Sequence, residues 1–333
     1  MNFALRNGPY ITDQSVSNIK VRPGTVNDVR DDNARKEAHF LHSDGPPSNF
    51  LMSDPSSLPA PRAGGSISLA LLATGSHRAE LTHWWAWWHD ISSVAYSVSD
   101  PGVAERKLAW WAQAVSQGFR EPPQHPLLTP LLGTVQARAS APPLKYWLNQ
   151  LEGQQQLTQQ TRWLDDATLM RHIQKTTASA CEGAAWLMGV RDPASLAVAA
   201  DFGMGLRRAH ILFRLGQDAR QGWLHIPIDV LQAHEVRAHQ LLKSAPGEPS
   251  SAIIALLDTW QALASGALRD ALQRMQGLPA AERRLFRGLM VLAKLNLALL
   301  DDLHQARYPV FGQRMILGPW RKRWIAQLAR IGS

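Results

Sequence analysis

The chain is 333 residues long, 45% hydrophobic and 19% charged, with a formal net charge of +8. This composition is globular and large enough for one sizeable core, since single cores stop growing at about 250 to 300 residues; 13 Trp against 4 Tyr predict a large apolar interior. The lone cysteine, Cys181, excludes an internal disulfide framework and any cysteine-rich zinc or iron–sulfur site, which points to a reducing compartment with the cytoplasm as the default.

Residues 1 to about 65 are rich in Asn, Asp, Ser, Pro and Gly, show no sustained hydrophobic period, and predict a disordered tail. The basic start, apolar block and small-residue site of a signal peptide are not found there. Met52 opens the run MSDPSSLPAP, which reads as an ordinary protein start, so the preceding residues are expected to be a mis-assigned extension.

From Ser66 onward the pattern is helical. Leu81, Trp84, Trp88 and Ile91 recur at three- and four-residue steps, as do Leu256, Trp260 and Leu263, with Leu268 and Leu272 beyond. Trp84, Trp85, Trp87 and Trp88 cannot all share one helix face, so some of this cluster, which Trp110 and Trp111 extend, is expected at the surface or at an interface. Proline and glycine place boundaries at Asp100-Pro101-Gly102, Glu121-Pro122-Pro123, Ala141-Pro142-Pro143, Asp192-Pro193, Ala245-Pro246-Gly247 and Gly277-Leu278-Pro279. They predict a bundle of eight to ten helices, with no alternating strand and no internal repeat. Leu289 to Leu300 comes nearest to a membrane span, but Lys294 and Asn296 interrupt it well short of the roughly 18 apolar residues required. The last segment, Trp320-Arg321-Lys322-Arg323-Trp324 and on to Arg330, is basic and amphipathic; it predicts either a helix lying on an anionic bilayer or one that caps the bundle with a solvated basic face.

The segment His210 to Pro227, HILFRLGQDARQGWLHIP, resembles the second aspartate-rich motif of the squalene/phytoene synthase family, N-I-x-R-D-x-x-E-D-x-x-x-G-R-x-Y-L-P. Asp90 to Trp111, DISSVAYSVSDPGVAERKLAWW, is similar to the family's first motif and the Leu-x-Trp-Trp helix after it, and Leu285 to Trp320 to its last helices. The Ser99-Asp100-Pro101 turn looks most like a divergent branch containing mitochondrial complex I assembly factors and bacterial relatives, which keep the fold and lose acids. The resemblance implies an all-α isoprenoid synthase-type bundle over residues 66–331.

In active members, two acids four residues apart on each of two helices hold magnesium against a substrate diphosphate. Matched to those motifs, Asp90 is followed by Val94, the second pair becomes Arg214 and Asp218, the motif's Glu is Gln217, and its Gly-Arg is Gly222-Trp223. The acid expected near Gln156 is also a glutamine. Arg214 either closes an i,i+4 ion pair on Asp218 or joins Arg207 and Arg208 in a metal-free anion site, although adjacent Arg207 and Arg208 cannot share one face. Trp84, Trp88 and Trp111 either wall a tunnel for a prenyl or acyl chain or pack as core. His210, at the motif's Asn position, is expected as a satisfied buried histidine, and no His-x-x-x-His pair or nucleophile motif is found.

Three functions follow as expectations. The chain is a non-catalytic paralogue binding an isoprenoid, a lipid or a protein partner and needing no cofactor; or an active magnesium-dependent prenyl transferase; or a peripheral membrane adaptor. The positive charge favours anionic partners, an anionic membrane surface among them. Nucleic acid is not expected, because no recognised motif accompanies the charge.

Overall fold

The structure, a computed structural model, describes residues 65–243 and 249–331. The N-terminal tail, Met52 and the Ala245-Pro246-Gly247 break lie outside the described residues. Helix α1 (Ser66–Leu71) leads into α2 (Arg78–Ser97), α3 (Pro101–Gly118) and α4 (Leu144–Gln159). Next, α5 (Asp166–Ile173) runs through a π-turn at Gln174–Ala178 into α6 (Ser179–Leu187). The long α7 (Pro193–Arg220) is followed by α8 (Ser251–Gln276), α9 (Arg287–Gln305) and α10 (Pro319–Ile331).

Local chemistry sets these boundaries. Asp100 accepts a hydrogen bond from the Val103 amide at 2.9 Å and Asp192 one from the Ser195 amide at 2.8 Å, each with proline in the first helical turn. The side-chain oxygen satisfies an orphan N–H, and proline has no N–H to leave unpaired. Nine helices of eight residues or more are found among the described residues, and no strand, only an isolated bridge between Arg162 and Leu224.

Helix α7 forms the axis, packed against α6, α8, α9 and the π-turn. At Gly203 its backbone meets the π-turn so closely that an added Cβ would lie 2.5 Å from Ala178 Cα and 2.6 Å from Thr177 O, so only glycine fits there. Helix α8 is long and apolar enough to cross a membrane by length and composition. Its buried residues, Ile253, Leu256, Leu257, Trp260, Ala264, Leu268, Ala271 and Met275, instead follow helical steps against α7, while Asp258, Arg269 and Asp270 occupy the rest of its surface. This is the amphipathic pattern of a bundle helix. The expected stripe through Leu263 is corrected here: Leu263 is exposed, Leu272 is half-buried, and small Ala264 faces α7, where the helices approach closely.

The tryptophans require a second correction. Trp84, Trp85, Trp87 and Trp88 are all buried, because together they span about 160° of α2 and neighbouring helices cover both edges of that face. Trp84 and Trp87 pack on Trp147 of α4 at 4.7 and 4.5 Å between ring centres. Trp85 turns the other way and lines a cavity of about 20 Å³ with Leu71, Ala184, Met188, Leu289 and Leu292. Such aromatic pairs add about 0.5–1.5 kcal/mol each beyond the area they bury. Trp84 Nε1–H also donates to the Ala180 carbonyl at 2.9 Å, and its ring lies against Gly183, where an added Cβ would collide with it. Gly183→Ala is therefore expected to cost about 1–3 kcal/mol by overpacking, read as a lowered denaturation midpoint; an unchanged midpoint would mean that the Trp84 ring can shift.

Candidate functional site

The surface of α7 between Arg207 and Asp218 carries the charges that the motif predicts, and the structure supplies their partners from α2 and from the turn after α7. The ion pair implied by four-residue spacing is formed: Arg214 Nε donates to Asp218 Oδ1 at 3.0 Å, and its Nη2 lies 2.9 Å from the same oxygen. Burial raises the Asp218 carboxyl above the usual aspartate range, and Arg214, then Arg207, pull it back down.

Asp90 does not join this group. Its Oδ2 accepts a hydrogen bond from Trp111 Nε1–H at 2.9 Å and lies 3.4 Å from Lys107 Nζ, both on α3. Val94 is fully buried. The α2 residue that reaches the α7 motif is Tyr96, six positions beyond Asp90 and so about 240° further round the helix. Tyr96 Oη sits 2.9 Å from His225 Nε2 and 3.3 Å from Arg207 Nη2. Ser92, four residues earlier, shares that face of α2. The four-residue pair that α2 turns toward α7 is thus Ser92 and Tyr96, not Asp90 and Val94, and contains no carboxylate.

Donor counting fixes the protonation of His225. Trp163 Nε1–H can only donate, and it lies 3.3 Å from His225 Nδ1, so Nδ1 accepts and the proton of the neutral ring is on Nε2. Nε2–H then donates to Tyr96 Oη, and Asp218 Oδ2 is 4.0 Å away. Burial holds His225 well below the ordinary histidine range, with Arg207, His172 and Arg214 adding to the effect, which keeps the ring neutral at pH 7. Tyr96 Oη accepts from both His225 and Arg207, leaving its own proton free for a third partner. Trp223, in place of the motif's Gly-Arg arginine, stacks on His225 at 5.9 Å and lies 4.8 Å from the Tyr96 ring.

The three arginines separate. Arg207 faces this cluster, its Nη1 3.2 Å from His210 Nδ1. Arg208 turns away to Asp166 Oδ2 at 2.8 Å and lies over the Trp260 ring, so it is no part of an anion site with Arg207 and Arg214. His210 is half-buried and held on Arg207, and burial lowers its pKa well below the usual value. Gln217 is half-buried beside the pair, and Gln156 donates to Gln160, just past the end of its own helix. Of the expected tunnel residues, Trp84 lies in the Trp147 cluster, Trp88 against Trp85, and Trp111 between Asp90, Trp87 and His125. Tyr96, Trp163 and His172 were not singled out in the sequence; His225 was missed although it stands at the motif's Tyr position, the one signal that could have found it.

The residues present do not fit the magnesium that the resemblance implies. A hard dication takes about six oxygen ligands, whereas this site offers one carboxylate with a guanidinium already on it. Among the described residues no group of three or more His, Cys, Asp or Glu side chains is placed to hold a metal ion. What the site does present is a half-buried cation, Arg207, whose described hydrogen bonds go to neutral partners, together with a tyrosine proton.

Known structures with this architecture include a dehydrosqualene synthase in complex with ligand, at a TM-score of 0.68 and 13% identity over 84% of this chain and 94% of that one. The squalene synthase HpnC from Alicyclobacillus acidocaldarius matches at a TM-score of 0.63 and 13% identity, over 72% of this chain and 88% of that one. Identities this low establish the shared all-α fold alone. No curated protein matches the chain in sequence. The family model for squalene/phytoene synthase matches residues 66–321, the whole bundle up to the start of α10, and with the degenerate His210–Pro227 motif at its axis the chain belongs to the squalene/phytoene synthase family.

Proposed function

We propose that this chain is a non-catalytic member of its family, one that works without magnesium and uses the fold to bind an isoprenoid or lipid ligand with an anionic head. The observation that carries this reading is the Arg214 guanidinium closed on Asp218 where a metal-binding pair would need two acids. A fixed cation there repels Mg²⁺, and Ser92 and Tyr96 on the facing side of α2 supply no compensating carboxylate. Without a metal, ionising a diphosphate leaves its developing charge to Arg207 and neutral donors, a weaker clamp than a dication bridging the phosphate oxygens. Binding is a different matter, since arginine holds phosphate oxygens through charge-assisted hydrogen bonds. The resemblance of Asp90 to Trp111 to an acid-losing branch that includes assembly factors supports the same reading.

The test is pyrophosphate release by the full chain with Mg²⁺ and farnesyl or geranylgeranyl diphosphate. Release is expected at background for both the wild type and Asp218→Asn. Release above background that Asp218→Asn abolishes would establish a working transferase and overturn the reading.

A further inference from the structure

Helix α10 is a bundle helix on one side only. Ala326 and Ala329, 5% and 0% exposed, seat it against α9 and α1, small side chains at a close approach. Arg321 fastens the contact with two hydrogen bonds to Asp302 of α9, at 2.7 and 2.6 Å. Lys322 also turns inward, half-buried beside Phe213, Leu295, Leu299 and Leu317, so the expectation that it meets a membrane is not what the structure places there.

The opposite side is apolar and open. Trp320, Trp324 and Leu328 stand four residues apart and are 80%, 67% and 50% exposed. At 3.6 residues per turn they cover about 80° of arc. Ile316, in the segment leading into the helix, is also exposed, at 61%. A run of large apolar side chains left in water marks a binding surface, unlike a single exposed leucine. Arg323 borders it, its guanidinium lying 5.6 Å from the Trp320 ring centre, while Arg321 on the other edge is already held by Asp302, and α10 itself contains no acid.

We propose that this stripe seats the protein on an anionic lipid bilayer, with Trp320 and Trp324 at headgroup depth and Arg323 on lipid phosphates. Indole rings have an apolar body and one N–H donor, which suits the boundary between headgroups and acyl chains. Cations without acids suit the negative potential of the leaflet. The same charge argues against a second copy of the chain: a two-fold contact would set this stripe against itself and bring the basic edges of two helices together with no acid on either helix to pair them. Protein association is therefore an outcome of the test, not the proposal.

Co-sedimentation of the full chain with vesicles of phosphatidylcholine alone, or of phosphatidylcholine mixed with phosphatidylglycerol, tests this directly. Binding is expected to the anionic vesicles, to weaken with added salt, and to fall by about tenfold or more in Trp320→Ser/Trp324→Ser. Leu263→Ser, at an exposed apolar position on α8, should bind like the wild type. Because Trp320 and Trp324 are exposed, helical content by circular dichroism should not change in the double variant. Failure of the wild type to bind anionic vesicles, or equal binding by the double variant, would overturn the proposal; so would self-association in sedimentation velocity that the double variant abolishes while vesicle binding persists.

Discussion

Arg214→Met is expected to lower the stability of the folded chain by about 3–5 kcal/mol, because it strands the buried Asp218 carboxylate without its cation. Asp218 is 2% exposed, and the Arg214 side chain 13%, so little water reaches either. The double variant Arg214→Met/Asp218→Leu should recover most of the loss and equal or exceed the wild type, since replacing both members of a buried pair with apolar groups removes two desolvation penalties along with one attraction. Urea denaturation of the two variants and the wild type gives the comparison. A pH series sharpens it. Burial already raises the Asp218 carboxyl, and Arg214 opposes that; without Arg214 it rises further above its unfolded value. A folded pKa above the unfolded one penalises the fold at high pH, so the defect of Arg214→Met should be full near neutrality and fade as pH falls toward the unfolded value of about 4. A single variant as stable as the wild type would mean that the pair contributes nothing and that Asp218 carries no charge in the fold.

Much of this architecture is written in local chemistry. Asp100 and Asp192, each followed by proline, start their helices where the side-chain cap and the missing N–H predict. The Arg214–Asp218 pair needs only the fact that residues four apart on a helix are neighbours. What the sequence could not reveal is the rotational phase of α2. An amphipathic helix declares its inner face, but α2 buries Trp84, Trp85, Trp87, Trp88, Ile91 and Val94 over about half of its circumference, with Asp90 just beyond one edge of that face and Tyr96 just beyond the other, so the pattern does not say which edge meets α7. Matching acid to acid then selects Asp90 as the first-motif remnant, while packing sends Asp90 to Trp111 and Lys107 and gives the α7 motif Tyr96. Leu263 failed for a related reason: hydrophobicity predicts burial for the leucine, but a close helix contact selects the alanine beside it.

The phase of α2 also bears on function. Had Asp90 faced Asp218, two carboxylates would have remained between α2 and α7 and a weakened metal site would have been reasonable. With Tyr96, His225 and Trp223 there instead, the surroundings of the α7 motif offer aromatic rings and neutral donors rather than acids. On the function proposed above, such surroundings hold an anionic ligand and do not break one apart. The proposed lipid contact of α10 is compatible with that role, since an amphipathic ligand with an apolar tail partitions into a bilayer.

Acid should unfold this protein earlier than its carboxylates alone would require. His172 and His225 are 3% and 2% exposed, and both are held neutral. Burial, then Arg207 and Lys175, lowers the His172 pKa to about 3; burial, then Arg207, His172 and Arg214, puts His225 well below the ordinary histidine range. With the folded pKa below the unfolded one, the unfolded chain takes up a proton below about pH 6.5 and the fold does not. The stabilisation is complete above that pH and is lost on the way down toward the folded values, at about 1.4 kcal/mol per pH unit for each ring. Between pH 7.5 and 5.5 the two together should remove about 3 kcal/mol. Asp218, with its raised pKa, acts in the opposite sense, but nearer the carboxylate range. His172→Phe isolates one share. Nδ1 of His172 has no hydrogen-bond partner among the described residues, and its ring packs 4.6 Å from Trp163, a contact that phenylalanine keeps. Denaturation midpoints at pH 7.5 should therefore change little, while the loss down to pH 5.5 should shrink by about half. A wild-type pH slope in His172→Phe would show that His172 is protonated in the fold and that the acid sensitivity lies elsewhere.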